Sequence, residues 1–165
     1  MPYSDRDLAR LAARVGRRLL ARRFTVVTAE SCTGGWIAKA LTDIAGSSQW
    51  FAEGFVTYSN ESKARRLGVP QNVLLNHGAV SEATARAMAR GALRRAGAQA
   101  AVAVTGIAGP GGAVPGKPVG TVWLAWAMRR GGALRVAVQL KRFRGGRDAV
   151  RRKTVQAALQ GLLTI

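Results

Sequence analysis

The sequence predicts an α/β fold, because short apolar runs rich in β-branched residues alternate along the chain with helical patterns. Two of these runs, residues 24–28 and 100–104, each lead into a loop of small residues and glycines. In an open α/β sheet, loops at the carboxyl ends of strands are where ligands bind. The chain has 165 residues, 48% of them hydrophobic, so we expect one domain over residues 1–165 with a well-formed core.

The N-terminal half begins with an amphipathic helix. Ser4 is its predicted N-cap, and an apolar stripe at helical spacing continues through Leu19. A strand, a helix and a second strand are then predicted at residues 24–28, 34–45 and 53–58. Ser59 or Asn60 caps the following helix, and Gly68 ends it.

The sequence of the C-terminal half predicts one long helix, three strands and a final helix. Ser81 begins the long helix, and a buried strand of small residues follows at residues 100–104. Residues 119–128 and 133–143 form the two arms of a hairpin around a basic, glycine-containing turn. The last helix begins after Gly146, which brings the number of predicted strands to five.

The charge balance is strongly basic. Lysine and arginine number 26 against 8 acidic residues, which gives a formal net charge of +18. Such a balance attracts anions such as nucleic acid, acidic lipids or phosphorylated small molecules. The basic residues are spread over several helices without a run of five or more, which favours a solvated surface, and we expect no specific nucleic-acid partner.

Cysteine and hydropathy patterns indicate a cytoplasmic protein without a membrane partner. Cys32 is the only cysteine, which excludes an intrachain disulfide and a cysteine-rich zinc site. The N-terminus has no apolar signal core, and the apolar runs are too short to span a bilayer. No cluster of His, Asp or Glu suggests a metal site, so we expect neither a metal nor another cofactor.

The turn after the first strand places Ser31 where a strand meets a helix. Ser31 is therefore a candidate nucleophile, and the N–H groups of Cys32 and Thr33 are candidates to receive an oxyanion. Gly34 and Gly35 would let a phosphate approach the backbone closely. The alternative is that a hydroxyl in this turn simply caps the helix, and the segment is not the G-x-S-x-G elbow of α/β-hydrolases.

Two further residues could support chemistry at Ser31. Tyr58 lies at the end of the second strand, and Lys63 follows about one helical turn later. A buried Lys63 with a lowered pKa could take the proton of Ser31, whereas the alternative is an ordinary solvated lysine. His77 is the only histidine and falls in an apparent loop, and we interpret it as structural.

A second glycine-rich loop follows the buried strand at residues 100–104. It contains Thr105, Gly106 and Gly109, and two such loops at strand ends favour a shared anion-binding cleft over a merely flexible connection. Arg147 and Arg151 lie four residues apart at the start of the last helix and therefore share one face. They could hold a phosphate, and the alternative is a solvated basic face.

Five segments together resemble the C-terminal domain of CinA proteins. They are residues 29–35, residues 54–60 with Lys63, residues 78–82, residues 105–110 and residues 117–122. The resemblance implies a three-layer α/β/α sandwich with a mixed, mostly parallel sheet of about five strands. It also implies a homo-oligomer that hydrolyses the carboxamide of nicotinamide mononucleotide to nicotinate mononucleotide and ammonia.

The resemblance places the family's serine, tyrosine and lysine on Ser31, Tyr58 and Lys63. Lys63 would accept the serine proton, directly or through Tyr58, in an acyl-enzyme mechanism. The residues then expected to bind substrate are Glu30, Cys32, Thr33, Gly34, Gly35, Asn60, Thr105, Gly106, Gly109 and Arg147. The chain departs from the family pattern after Pro110 and at Gly146, where relatives commonly carry an acidic residue.

The sequence leaves open the role of Glu30, the identity of the nucleophile and the function of the chain. Glu30 is expected to point away from Ser31 and to hydrogen-bond across the second glycine loop. Cys32 is an alternative nucleophile, since a thiol beside a helix N-terminus can ionise. The chain could also be a non-catalytic nucleotide-binding regulatory module of the CinA type, or a nucleic-acid binder without base preference.

Overall fold

The computed structural model describes residues 4–165 and contains a central sheet with helices on both faces. The strands are β1 (Val26–Glu30), β2 (Phe51–Val56), β3 (Ala100–Gly106), β4 (Thr121–Arg130) and β5 (Ala133–Arg142). The helices are α1 (Asp5–Arg22), α2 (Trp36–Thr42), α3 (Asn60–Leu67), α4 (Gln71–His77), α5 (Glu82–Ala96) and α6 (Arg147–Leu162). A short 3₁₀ helix covers Ser47–Gln49. None of the helices described in residues 4–165 is both long and apolar enough to cross a membrane.

The five strands form one mixed sheet in the order β2-β1-β3-β4-β5, which confirms the predicted α/β class. β1 pairs in parallel with β2 and β3, while β4 pairs antiparallel with β3 and β5. Glu30, the last residue of β1, lies opposite Val56 on β2 and Val104 on β3. The loops that follow β1, β2 and β3 therefore meet at one edge of the sheet, where α/β proteins bind ligands.

Alternation along each strand divides the core into two layers. In β3, the side chains of Val102 and Val104 pack with α1, α2 and α6, whereas those of Ala101 and Ala103 pack with α5. All four are fully buried, as expected for an inner strand covered on both faces. Helices thus cover both faces of the sheet, which confirms the three-layer sandwich.

Several helix boundaries follow the local signals in the sequence. Ser4 and Asp7 form a reciprocal capping box, with Asp7 N donating to Ser4 Oγ at 3.2 Å and Ser4 N donating to Asp7 Oδ2 at 3.0 Å. Ser59, rather than Asn60, is the N-cap of α3, and its Oγ accepts from Ser62 N at 3.0 Å. Gly68 ends α3 in a left-handed conformation with φ of 68°.

Other predicted boundaries of strands and helices were wrong. β1 begins and ends two residues later than predicted, because Arg23 turns with φ of 55° after α1 and Phe24 still bonds back to that helix. α2 covers Trp36–Thr42, within the predicted 34–45, and it begins late because Gly34 and Gly35 both take left-handed conformations before it. Helix α4 was missed, so His77 ends a helix and does not lie in a loop.

The face of the sheet that meets α5 is lined by small side chains, which lets this helix approach closely. The alanines there are Ala29, Ala101, Ala103, Ala125 and Ala127. On the helix itself, Gly91 faces the end of α3, and a Cβ at this position would lie 1.9 Å from the carbonyl oxygen of Leu67. The close packing of α3 against α5 therefore requires a residue without a Cβ at position 91.

We expect Gly91→Ala to lower the free energy of unfolding by about 2–3 kcal/mol, because the new methyl group collides with fixed backbone. This loss outweighs the gain in helix propensity from glycine to alanine, roughly 1 kcal/mol. Urea denaturation of both proteins measures the difference. Gly111→Ala is the control, since a Cβ there has nothing within 4 Å, and equal stability of the two variants would contradict the prediction.

Candidate active site

Ser31 is the first residue after β1 and lies in a tight turn that leads into α2. All five residues of β1 are buried, and Ser31 itself is 9% exposed. Its backbone N–H donates to the carbonyl of Val104 on β3 at 3.1 Å, and its own carbonyl accepts from Gly34 N at 3.0 Å. Gly34 and Gly35 adopt φ of 61° and 95°, a region that other residues rarely enter, so the turn requires glycine at these positions.

The carboxylate of Glu30 organises this turn. It is fully buried and accepts four hydrogen bonds, all from residues 33–38. The donors are the hydroxyl of Thr33 at 2.6 Å and the backbone N–H groups of Gly35, Ile37 and Ala38 at 3.1, 3.0 and 2.8 Å. Since Gly35 has no side chain to cap α2, Glu30 satisfies the N–H groups at the start of that helix.

This arrangement corrects the expectation for Glu30. Its side chain does point away from Ser31, but the predicted hydrogen bond across the second glycine loop was wrong. The hydroxyl of Thr33 is likewise engaged by Glu30.

Arg151 holds the same turn from the other side. From the first turns of α6, its Nε donates to the carbonyl of Cys32 at 3.2 Å and its Nη2 to that of Thr33 at 2.9 Å. The guanidinium also lies 5.3 Å from the centroid of the Trp36 ring on α2. The sequence placed Arg151 on a phosphate-binding or solvated face and gave no indication of these contacts.

Lys63 extends from α3 and contacts Ser31. It is only 1% exposed, and its Nζ lies 3.2 Å from Ser31 Oγ. The same nitrogen lies 2.9 Å from the carbonyl oxygen of Thr57 and 3.2 Å from that of Tyr58. Within residues 4–165 Lys63 forms no ion pair, and burial lowers its pKa from the ordinary value of 10.5.

The hydroxyl of Tyr58 lies apart from this contact. The residue is 59% exposed, and its hydroxyl accepts a hydrogen bond from Arg147 Nη2 at 3.0 Å. Arg147 Nη1 in turn donates to the carbonyl of Gly109 at 2.8 Å. Arg147 therefore links the loops that follow β2 and β3 at the rim, while Lys63 meets the carbonyl of Tyr58 and not its hydroxyl.

The thiol of Cys32 is in an unfavourable place for catalysis. Cys32 is 5% exposed and belongs to the hydrophobic cluster beneath α1, α2 and α6. Burial is the main reason that its pKa is raised to about 12, so the thiol is protonated at neutral pH. This argues against the alternative in which Cys32 is the nucleophile.

The remaining candidates lie around the same edge of the sheet. Thr105 is buried, and its hydroxyl donates to the carbonyl of Ala79 at 2.7 Å, so its side chain holds a neighbouring loop. Asn60 begins α3 and is exposed, and Gly106 ends β3. Among the described residues 4–165, no group of three or more His, Cys, Asp or Glu side chains is placed to hold a metal ion.

The comparisons with known proteins agree with the resemblance drawn from the motifs. The family described as the CinA C-terminal domain matches residues 8–165. The nicotinamide-nucleotide amidohydrolase PncC of Escherichia coli strain K12 is 55% identical over 159 residues, which cover 96% of this chain and 94% of that protein. The PncC of Pseudomonas putida is 54% identical over 155 residues, with 94% of each protein covered.

A solved structure gives the same result for the fold. The crystal structure of competence damage-inducible protein A (ComA) from Klebsiella pneumoniae subsp. pneumoniae MGH 78578 superposes with a TM-score of 0.89. The two sequences are 42% identical, and the superposition covers 94% of each chain. Sequence and structure therefore show that this chain belongs to the CinA C-terminal domain family.

Proposed function

We propose that the chain hydrolyses the carboxamide of nicotinamide mononucleotide to nicotinate mononucleotide and ammonia. The observation that carries the proposal is the buried contact of 3.2 Å between Lys63 Nζ and Ser31 Oγ. The names of the similar proteins from Escherichia coli and Pseudomonas putida support the same reaction class. An intact nucleophile and base favour catalysis over the alternative of a regulatory module without turnover.

The surroundings of Lys63 suit a neutral amine that acts as a base. A neutral amine has two N–H donors and one lone pair, whereas an ammonium has three donors and no acceptor. The carbonyls of Thr57 and Tyr58 accept the two N–H groups, which leaves the lone pair for the hydroxyl proton of Ser31. Because burial lowers the pKa of Lys63, the neutral form is reached at lower pH than for a solvated lysine.

The reaction then follows from the geometry of the turn. Ser31 Oγ forms a bond to the carboxamide carbon while its proton passes to Lys63 Nζ. The protonated Lys63 returns that proton to the departing nitrogen, so that the C–N bond breaks and ammonia leaves. Water next attacks the acyl-enzyme with Lys63 again as base, which releases the carboxylate and restores Ser31.

An oxyanion in this reaction needs free donors near Ser31. Within residues 4–165, no other residue accepts from the backbone N–H groups of Cys32 and Thr33, whereas those of Gly34 and Gly35 donate to Ser31 and Glu30. The N–H groups of Cys32 and Thr33 follow the nucleophile directly and lie before the positive end of α2. They are therefore suited to stabilise the negative charge of the tetrahedral intermediate.

The phosphate of the nucleotide is proposed to bind Arg147. This residue is the first of α6, and its guanidinium contacts only the neutral oxygens of Tyr58 and Gly109 among the described residues. A phosphate can displace such neutral partners and form charge-assisted hydrogen bonds with the guanidinium. Tyr58 would then bind substrate at the rim, and no proton needs to pass through its hydroxyl.

The remaining substrate-binding assignments divide into two groups. Asn60, Gly34, Gly35, Gly106 and Gly109 are proposed to line the cleft between the two glycine loops. The side chains of Glu30, Thr33 and Thr105 hold the loops in place, since each already has partners within the protein.

Ser31→Ala and Lys63→Met are each expected to lower kcat for ammonia release from nicotinamide mononucleotide by at least roughly 1,000-fold, because each removes a group that takes part in bond making. Cys32→Ala keeps the backbone N–H and is expected to retain activity within about threefold. Circular dichroism checks that the variants are folded. Activity in Ser31→Ala would exclude Ser31 as the nucleophile, and an inactive, folded wild type would favour the non-catalytic module.

The pH dependence of the reaction should follow Lys63. As pH rises, the amine loses its proton and becomes a base, so kcat/KM should increase and then level off. Because burial lowers the pKa of Lys63, the midpoint should lie below 10.5. Initial rates across the pH range measure it, with circular dichroism to confirm that the fold persists. A midpoint at or above 10.5 would contradict the assignment.

The titration of Lys63 also makes the free energy of unfolding depend on pH. Between the lowered pKa of native Lys63 and the ordinary value of 10.5, the unfolded chain binds a proton that the native protein does not. The free energy of unfolding therefore rises with pH in that window. Lys63→Met should lack this part of the rise, and an unchanged pH dependence of urea denaturation would show that Lys63 does not titrate differently in the native state.

Glu30→Gln is expected to lower the free energy of unfolding by about 2–3 kcal/mol. In the wild type the carboxylate accepts from backbone N–H groups, whereas the glutamine amide would present N–H donors of its own to some of them. The loosened turn should also lower kcat more than it raises KM. Urea denaturation and steady-state kinetics measure the two effects. Glu61→Gln is the matched control, since Glu61 lies on the surface of α3. Wild-type stability and kcat in Glu30→Gln would contradict this role.

A further inference from the structure

A groove of about 540 Å³ runs along α5 and is not used by the proposed reaction. It lies between α5, the segment that joins α3 to α4, and the start of β5. Its apolar lining includes Val73 and Leu134, and four arginines stand around it. They are Arg86, Arg90, Arg94 and Arg129.

Three of these arginines carry uncompensated charge. Arg86 forms an ion pair with Glu82 at 2.8 Å and also donates to the carbonyl of Val136. The guanidinium groups of Arg90, Arg94 and Arg129 are exposed and have no hydrogen-bond or ion-pair partner within residues 4–165. Since Arg86, Arg90 and Arg94 are spaced by four residues, they form a row along α5 with a rise of about 6 Å per step.

The basic end of the groove lies away from Ser31. The backbone N–H of Arg129 bonds to Gln99, just before the first residue of β3, whereas that of Ser31 bonds to Val104 near the other end of β3. Gln99 and Val104 are five positions apart along this extended segment, a distance of roughly 16 Å. Arg129 therefore lies outside the site around Ser31.

We propose that this groove binds the sugar–phosphate backbone of double-stranded nucleic acid without regard to base sequence. Guanidinium groups match phosphates in charge and geometry, and the net charge of +18 draws such a polyanion toward the protein. The lining contains no aromatic side chain on which unpaired bases could stack. The polar side chains of the lining are all arginines, which can supply the phosphate contacts that position a duplex without reading its sequence.

The proposal departs from the expectation of a solvated basic surface without a specific nucleic-acid partner, because the fold brings four of the scattered arginines to one groove. It differs from a general effect of net charge, because it assigns the binding to one row of arginines. It is also independent of the proposed amidase activity, since it uses none of the residues around Ser31.

The test measures binding of a fluorescently labelled 20-base-pair DNA duplex to the full chain by anisotropy at several salt concentrations. The groove variant carries Arg90→Gln, Arg94→Gln and Arg129→Gln. The matched control carries Arg6→Gln, Arg14→Gln and Arg17→Gln on the exposed side of α1, in the opposite helix layer. Each variant loses three positive charges, from +18 to +15, so net charge is equal in both.

The groove variant should lose affinity on the order of 100-fold at about 0.1 M salt, and the slope of log K against log salt should become shallower by roughly 2.7, because each phosphate contact contributes about 0.9. The control should stay within about threefold of wild type. Thermal melting checks that both variants are folded.

Equal losses in the two variants would overturn the proposal in favour of net charge alone. Absence of wild-type binding at about 50 mM salt would also overturn it, as would a preference for one base sequence. Competition by polyglutamate at equal charge, as effective as unlabelled duplex, would assign the groove to acidic proteins instead. None of these outcomes depends on whether the chain releases ammonia from nicotinamide mononucleotide.

Discussion

The buried carboxylate of Glu30 is the interaction on which the site depends. A chain that leaves a parallel strand and enters a helix at once exposes several N–H groups without partners. Glu30 satisfies those of Gly35, Ile37 and Ala38, whereas no other residue in the described range 4–165 accepts from those of Cys32 and Thr33. The position of one carboxylate therefore fixes the turn and decides which N–H groups remain available beside Ser31.

Lys63 is also a buried ionisable group, but unlike those of Glu30, its partners do not stabilise the charged form over the neutral one. The carboxylate of Glu30 meets only donors, whereas the amine of Lys63 meets two carbonyl oxygens and a hydroxyl and has no carboxylate partner among residues 4–165. Burial of an amine in this way costs stability, which a purely structural position would avoid with an apolar residue. The cost is understandable if the neutral amine is needed for proton transfer from Ser31.

The sequence predicted the features that depend on local chemistry. The caps at Ser4 and Ser59, and the strand-to-helix turn at Ser31, follow from hydrogen bonding over a few residues. The contact of Lys63 with Ser31 joins residues 32 apart and was available only as a hypothesis, because burial is a property of the packed chain. The bonds of Glu30 were predicted wrongly, since a carboxylate that caps a helix from inside a strand leaves no periodic pattern. The short helix α4 was missed for a related reason, because its N-cap is Pro70, which forms no side-chain capping bond.

Helix α6 connects the two ends of the proposed substrate. Arg147 and Arg151 lie one turn apart on one face, with Arg147 at the rim and Arg151 on the carbonyls of Cys32 and Thr33. A phosphate that binds Arg147 would pull on the same rigid element that holds the turn of Ser31. Binding energy from the non-reacting part of the substrate can then be used to orient the nucleophile. A substrate without the phosphate should accordingly be hydrolysed with a lower kcat and bound with a lower affinity, because Arg147 and Arg151 lie on one rigid helix.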